Sequence, residues 1–301
     1  MMPFACSVAL LSASMGAEPD SGLAEILAPD AKLETLATGY RFTEGPIWTR
    51  RGTLIFSDIP MNRLYEWTPS QGEPKVFREP SNNANGNTLD AEGRLVTCEH
   101  GSRRVTRTEA DGRIAVLAER FEGKRLNSPN DVAVHPNGTI FFTDPPYGIR
   151  PEQAELDFNG VFRLAKDGSL TVIDRERVRP NGIVLSPDRK LLYVADTEGE
   201  KVVVYPVDAD ANVGPGREFA STKVDSGRSS PDGMRVDIKG NLYVATSVGV
   251  QVFSPRGVRI GVIRTPRSAT NCAFGEDGKT LFVTSQESVY RIRLAVAGVM
   301  P

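Results

Sequence analysis

The chain has 301 residues, of which 40% are hydrophobic and 25% charged, so it is long enough to bury a large core and lacks the composition of a disordered protein. Its 36 basic and 38 acidic residues give a formal net charge of −2 without a Lys/Arg cluster, which argues against a nucleic-acid or membrane-surface partner. A small, uncharged or weakly polar partner is favoured. The 28 glycines and 21 prolines fall at regular intervals between short apolar runs, which is typical of many short strands.

The N-terminal segment differs from the rest of the chain. Residues 3–17 are apolar and end in small residues before a polar stretch, like the hydrophobic segment and cleavage site of a signal peptide, although the usual basic start is missing. We therefore expect residues 1–20 to be a signal peptide or a disordered N-terminus. A signal peptide predicts a periplasmic or secreted protein, and its absence a cytoplasmic one. No later segment approaches the ~20 apolar residues of a membrane span.

The three cysteines are scattered at Cys6, Cys98 and Cys272. Their spacing predicts neither a disulfide framework nor a paired zinc motif. We expect them to be buried free thiols.

An internal repeat organises residues 21–301. Six segments share one pattern, in which an apolar or alternating run leads to a tight turn about seven residues on and then to a second strand. A third strand follows in each repeat, and a fourth in the first five. The six copies begin 41, 45, 51, 51 and 39 residues apart, at Glu44, Asn85, Asn130, Asn181, Asp232 and Asn271.

Four strands in a repeat of about 45 residues are typical of a propeller blade, and six blades suit one closed ring. The sequence therefore predicts an all-β, six-bladed β-propeller with four antiparallel strands per blade. The sixth repeat lacks an outer strand. We expect the N-terminal strand at residues 32–38 to supply it and close the ring.

The residue that opens each repeat is expected at one rim of the central channel, because the first strand of a blade lines that channel. All six residues carry side-chain oxygen atoms: two are carboxylates and four are amides. Hard oxygen ligands with two negative charges suit Ca²⁺, and the lack of Cys and His disfavours zinc or copper as the resident metal. Mg²⁺, Mn²⁺ or Zn²⁺ can substitute in vitro. The alternative is that the Asn-Gly and Asp-Gly pairs only form entry turns, but Glu44 is a poor turn former.

Other polar residues are candidates for the same rim. His100 follows the second strand of its repeat there, and is either an acid/base group, a positioning residue or a surface histidine. His135 precedes a hairpin turn and is expected at the opposite face. Arg125 and Tyr147 lie in segments that can reach the pocket, although packing alone also explains Tyr147. No nucleophile elbow, P-loop or dinucleotide fingerprint is present in the sequence.

Several of these segments together resemble the gluconolactonase, regucalcin and senescence-marker-protein family of calcium-bound six-bladed propellers. The resemblance covers residues 32–294, and two motifs are closest to its bacterial gluconolactonase branch. The matching motifs are Thr43-Glu44-Gly45-Pro46, Phe56-Ser57-Asp58, Cys98-Glu99-His100-Gly101, Asn127-Ser128-Pro129-Asn130-Asp131, Thr143-Asp144-Pro145-Pro146-Tyr147-Gly148, Arg179-Pro180-Asn181-Gly182 and Pro231-Asp232-Gly233-Met234.

The resemblance implies a ligand set and an activity. Glu44, Asn181 and Asp232 correspond to metal ligands, and Asn130 lies at the metal or contacts the substrate. Ser128 stands where regucalcin has an arginine, so the substrate contact of regucalcin is not expected here. The usual activity of the family is hydrolysis of sugar lactones.

Together these features predict Ca²⁺-dependent opening of an aldonolactone such as glucono-1,5-lactone by a monomer or homodimer. Asp232, or else His100, would take a proton from the attacking water. Asn85, Asn130, Arg125 and Tyr147 would hold the sugar hydroxyls. The alternatives are a calcium propeller that hydrolyses non-sugar lactones or organophosphate esters, and a propeller that binds calcium or a small ligand without turnover.

Overall fold

The strands form six antiparallel four-stranded sheets in the computed structural model, which describes residues 21–301. The predicted signal peptide and Cys6 lie outside the described residues. Strand β1 (Glu34–Thr38) precedes the first sheet in sequence. Short 3-10 helices occur at Ser21–Glu25 and Pro151–Gln153. Neither helix in the described part of the chain is long and apolar enough to cross a membrane.

Each sheet is one blade, and its strands follow one another outwards from the channel. Blade 1 contains β2 (Thr43–Trp48), β3 (Leu54–Asp58), β4 (Arg63–Trp67) and β5 (Lys75–Arg78). Blade 2 contains β6 (Ala84–Leu89), β7 (Leu95–Glu99), β8 (Arg104–Thr108) and β9 (Ile114–Ala118). A small hairpin follows, with strands β10 (Arg120–Phe121) and β11 (Lys124–Arg125). Blade 3 contains β12 (Val132–Val134), β13 (Ile140–Asp144), β14 (Gly160–Leu164) and β15 (Leu170–Asp174).

The second half of the chain repeats the arrangement. Blade 4 contains β16 (Pro180–Leu185), β17 (Leu191–Asp196), β18 (Lys201–Pro206) and β19 (Arg217–Ser221). Blade 5 contains β20 (Met234–Val236), β21 (Leu242–Thr246), β22 (Gly249–Phe253) and β23 (Arg259–Ile263). Blade 6 contains β24 (Asn271–Gly275), β25 (Thr280–Ser285) and β26 (Ser288–Arg293), with β1 as its outermost strand. The fold is the predicted six-bladed β-propeller.

The ring closes through the pairing of β1 with β26. Glu34 lies opposite Arg291 and Thr38 opposite Ser288 in this antiparallel pair. The predicted closure by an N-terminal strand is confirmed, although the strand starts two residues later than expected. Closure removes the free edge that β26 would otherwise present to another chain.

Apolar side chains between neighbouring blades form the core. The Trp48 ring in blade 1 stacks on that of Phe282 in blade 6, with centroids 5.5 Å apart. Between blades 2 and 3, Phe142 packs in one cluster with Val96 and Cys98. Cys98 and Cys272 are buried free thiols, as predicted. Burying this apolar surface holds the blades in a fixed ring, which positions the innermost strands around the channel.

The innermost strands are irregular at the end of the channel where the repeats begin. The register of β2 with β3 shifts between Glu44 and Ile47, and β16 shifts similarly after Pro180. In blade 5 the regular strand begins only at Met234, two residues later than predicted. The Asp232 N–H nevertheless donates to the Ala245 carbonyl over 2.9 Å, so the backbone continues alongside the neighbouring strand. Bulges of this kind redirect side chains, and here they occur beside the predicted site.

Candidate active site

The six predicted rim residues lie together at one mouth of the channel. Asn85 donates from Nδ2 to Asn130 Oδ1 over 2.7 Å, and Asn130 donates from Nδ2 to Asn181 Oδ1 over 2.6 Å. On the other side, Asn271 Nδ2 donates to Glu44 Oε2 over 2.9 Å. The side chains form a polar ring, named here the rim ring, that contains Glu44, Asn85, Asn130, Asn181, Asp232 and Asn271. All are buried except Asp232, which is partly exposed.

Glycines after the rim residues allow the blades to approach closely. A Cβ atom on Gly182 would lie 2.2 Å from the Asp232 carbonyl oxygen, and one on Gly233 would lie 1.9 Å from Asn271 Cγ. Real Cβ atoms do not approach other atoms so closely, so these positions exclude a side chain. The Asn-Gly and Asp-Gly pairs therefore have a packing role between blades.

The rim ring carries uncompensated negative charge. The pKa of Glu44 is raised well above its ordinary value by burial and then by the neighbouring Asp232 carboxylate. The pKa of Asp232 is also raised, first by loss of hydration and then by Asp131. Within residues 21–301, neither Glu44 nor Asp232 forms a salt bridge. Like charges held this close favour either a proton or a cation between them.

Asp131, directly below the rim ring, was missed by the sequence reasoning. It is 1% exposed, and its two oxygens accept from the N–H groups of Val132 (2.9 Å) and Ile183 (3.3 Å). Burial raises the pKa of Asp131 to about 6. The sequence showed Asp131 only as the last residue of the Asn127-Ser128-Pro129-Asn130-Asp131 motif.

The donor set of the rim ring fits a hard divalent cation. Asn85 Oδ1 is buried and has no hydrogen-bond partner within residues 21–301, and two carboxylates lie close together nearby. No group of three or more His, Cys, Asp or Glu side chains suited to a metal occurs in residues 21–301, so a cation here would depend on amide oxygens as well. Such a mixture of carboxylate and amide oxygens suits calcium.

His100 contacts the amides of the rim ring. Its Nε2 lies 3.1 Å from Asn85 Nδ2 and 3.3 Å from Asn130 Oδ1. The imidazole is 6% exposed, and burial lowers its pKa to about 4, so it is neutral at pH 7. A group with so low a pKa is a weak proton acceptor, and its contacts orient two amides.

Tyr147 lies at the mouth, whereas Arg125 lies apart from it. The Tyr147 hydroxyl is 3.4 Å from Asn181 Nδ2, and the Arg179 guanidinium lies 5.5 Å from the centroid of the tyrosine ring. Arg125 lies on β11, where its Nη2 donates to the Ser102 carbonyl over 2.8 Å. No hydrogen bond joins Arg125 to the rim ring among the described residues.

Two further residues contact the side chains at the mouth of the channel, and the sequence analysis did not identify either as a site residue. Thr197 Oγ1 accepts from Asn181 Nδ2 over 3.1 Å and donates to the Pro231 carbonyl over 2.8 Å, so it links blades 4 and 5. Nothing in its sequence context distinguished it. Arg179 was visible only as part of the Arg179-Pro180-Asn181-Gly182 motif.

Comparison with known proteins identifies the family. Residues 42–287 match the family described as "SMP-30/Gluconolactonase/LRE-like region". The chain belongs to this family. A gluconolactonase of Zymomonas mobilis is 34% identical over 300 residues, which cover 91% of this chain and 84% of that protein. A regucalcin of Xenopus laevis is 29% identical, with 82% and 83% covered.

A solved structure agrees with this assignment to the SMP-30/gluconolactonase family. The gluconolactonase XC5397 of Xanthomonas campestris superimposes with a TM-score of 0.83 and 39% identity, covering 91% of this chain and 93% of that one. The identities to these bacterial gluconolactonases exceed the identity to regucalcin. This ranking is the one that the sequence motifs predicted.

Proposed function

We propose that this protein opens a sugar lactone, such as glucono-1,5-lactone, to the aldonic acid, with a divalent cation, calcium by preference, held in the rim ring. The chain is a hydrolase of carboxylic esters, in a family whose members include a gluconolactonase, a pentonolactonase and a lactonohydrolase. The observation that carries the finer proposal is the rim ring, in which two carboxylates lie among four amides without a salt bridge in the described structure.

Glu44, Asn181 and Asp232 would hold the cation, with Asn130 beside it. The cation, when bound, would offset the two carboxylates and polarise the lactone carbonyl. The hydrogen bond from Asn271 to Glu44 and the one from Asn130 to Asn181 orient their acceptors before any ligand arrives. Such preorganisation lowers the cost of forming the site.

Asp232 is the proposed general base. It is the rim residue with partial exposure, so water can reach its carboxylate. The attacking water adds its oxygen to the carbonyl carbon while a proton passes to Asp232. The ring C–O bond then breaks, and the departing hydroxyl oxygen takes up a proton, which regenerates the carboxylate. His100 holds Asn85 and Asn130 in position during this exchange.

The polar mouth favours a sugar over the apolar alternatives. Asn85 Oδ1 has no partner in the structure and can accept from a substrate hydroxyl. Tyr147, 39% exposed and stacked beneath Arg179, forms an amphipathic wall against which one face of a sugar ring can pack. An apolar pocket, which non-sugar lactones or organophosphate esters would favour, is not formed by these residues.

The proposal is tested with a lactone panel of aldonolactones, aliphatic lactones and an organophosphate ester, with and without a chelator. We expect aldonolactone hydrolysis that disappears with the chelator, returns with Ca²⁺, and is lost in Asp232→Ala and Glu44→Gln. Glu34→Gln, on the exposed outer strand of blade 6, is the control and should keep full activity. Activity that survives both calcium removal and Asp232→Ala contradicts the mechanism. Calcium binding without turnover of any substrate indicates a binding protein instead.

A further inference from the structure

A second cavity lies at the opposite end of the channel. The residues that line it come from the ends of the innermost strands and from the hairpin turns that follow them, whereas the rim ring stands at the beginnings of those strands. Its volume is about 280 Å³. His135 lines this cavity, in agreement with the prediction that it lies at the face opposite His100.

The wall of this cavity carries excess positive charge. Arg50, Arg189 and Arg235 line it, together with a single acidic residue, Asp90. The carboxylate of Asp90 is already paired with Arg94, 2.8 Å away. Arg235 is close enough to Asp131 to lower the pKa of that carboxyl, whereas Arg50 and Arg189 have no carboxylate partner within residues 21–301.

Arg189 is a partly buried cation of this wall, whereas Arg50 is exposed. Within residues 21–301, its guanidinium forms neither a salt bridge nor a hydrogen bond, and burial lowers its pKa below the ordinary value. Arg235 is held in place, because its Nη1 donates to the Met234 carbonyl over 2.7 Å and its Nη2 to the Pro46 carbonyl over 3.2 Å. An anion beside this partly buried guanidinium would gain a charge-assisted hydrogen bond.

His135 adds a hydrogen-bond donor to the same wall. Its Nδ1 accepts from the Asn137 N–H over 3.3 Å, which places the ring N–H on Nε2. That N–H has no partner among the described residues. It is available to a carboxylate oxygen.

The rest of the wall is apolar. Ile47, Leu89, Val132 and Ile183 line the cavity from four blades, and Met300 covers it from the C-terminal segment. A small inorganic anion would lose its hydration against such a surface without gaining contacts. An organic anion with a hydrocarbon body can place its charge beside the arginines and its hydrocarbon part against the apolar side chains.

We infer that this cavity binds a small organic carboxylate with an apolar body, its charge at Arg189 and Arg235 and its hydrocarbon part against the apolar ends of the innermost strands. This site goes beyond the proposed lactonase function, because none of its lining residues belongs to the rim ring. The two ends of one channel would then bind different ligands.

The experiment is calorimetric titration of the full chain with hexanoate, and separately with inorganic phosphate. We expect hexanoate to bind with one site per chain and phosphate to bind more weakly. Arg189→Gln should weaken hexanoate binding by at least about tenfold, as the loss of one charged contact predicts. Arg256→Gln, in an exposed hairpin turn of blade 5 outside the cavity, is the matched control and should bind as the wild type does. Glu44→Gln should also leave hexanoate binding unchanged.

Four results would overturn the inference. Hexanoate could fail to bind, phosphate could bind as tightly as hexanoate, or Arg189→Gln could bind as the wild type does. Loss of hexanoate binding in Glu44→Gln would instead assign the ligand to the rim ring and equally reject the second site. Because lactone hydrolysis is measured separately, a failed lactone assay does not affect any of these outcomes.

Discussion

Asn130 donates from Nδ2 to Oδ1 of Asn181 over 2.6 Å, across the boundary between blades 3 and 4. The same Asn130 accepts from Asn85 of blade 2 over 2.7 Å, so its amide joins three blades. Both of its polar atoms are occupied, and the two amides on either side are thereby oriented. Asn130 therefore acts as a positioning residue for the rim ring as well as a candidate contact for the ligand.

Asn130→Ala should greatly lower kcat/KM and only moderately lower the free energy of unfolding. The substitution leaves Asn181 Oδ1 without its donor and Asn85 Nδ2 without that acceptor, which costs about 1–3 kcal/mol of unfolding free energy. We expect kcat/KM for glucono-1,5-lactone to fall by about a hundredfold or more, because the ligand groups lose their orientation. Asn241→Ala is the control, since this buried amide bonds Asp237 in the turn after β20. It should lose similar stability and keep kcat/KM, and equal kinetic losses in both variants would contradict the positioning role.

His100→Gln should make stability less dependent on pH. Burial lowers the pKa of His100 from 6.5 to about 4, so below pH 6.5 the unfolded state binds a proton that the folded state does not. The free energy of unfolding is therefore highest above pH 6.5. It decreases as the pH falls towards 4, by up to about 3 kcal/mol. Gln keeps an amide that can contact Asn85 and Asn130 but does not titrate.

The measurement is urea denaturation of both proteins between pH 4 and pH 7. The slope of unfolding free energy against pH should be shallower in His100→Gln than in the wild type. His135→Gln, at the other end of the channel, serves as the control for replacing a buried histidine by glutamine away from the rim ring. Parallel curves for His100→Gln and the wild type would show that His100 is not the group responsible.

Much of this site could be predicted because its residues occupy the same position in each of the six repeats. The innermost strand of every blade begins at one rim, so aligning six copies was enough to bring Glu44, Asn130 and Asp232 to one place without any contact information. The closing strand was predictable for a similar reason, since five repeats had an outer strand and one lacked it. Periodicity fixes which residues share a rim.

Features that depend on the path of irregular segments could not be predicted in this way. Arg125 lies in an extra hairpin between blades 2 and 3, where its guanidinium bonds Ser102 and stays away from the rim ring. Asp131 follows a rim residue by one position, and only the bulged backbone turns its carboxylate below the ring. The cationic cavity depends on turns and a C-terminal segment that no repeat position specifies.

Tyr147→Phe should affect substrate binding more than turnover. The hydroxyl lies 3.4 Å from Asn181 Nδ2 at the mouth, and the ring stacks beneath Arg179. Phe keeps the stacking surface but loses one hydrogen bond, which corresponds to an increase in KM of about three- to tenfold with little change in kcat. Tyr193→Phe, in blade 4 away from the mouth, should leave both constants unchanged. A fall in kcat without a change in KM would assign the hydroxyl to the chemical step instead.

Gly233→Ala should strongly destabilise the propeller, for a steric reason alone. A Cβ atom there would lie 1.9 Å from Asn271 Cγ, so either the boundary between blades 5 and 6 opens or Asn271 leaves Glu44. We expect a loss of at least about 3 kcal/mol in unfolding free energy by urea denaturation, together with weaker calcium binding by calorimetry. Gly168→Ala is the matched control, because its φ of +87° strains any side chain but no atom lies within 4 Å of the added Cβ. That strain should cost about 1–2 kcal/mol and leave calcium binding intact. Equal losses in the two variants would contradict the close approach of blades 5 and 6 as the reason for glycine at position 233.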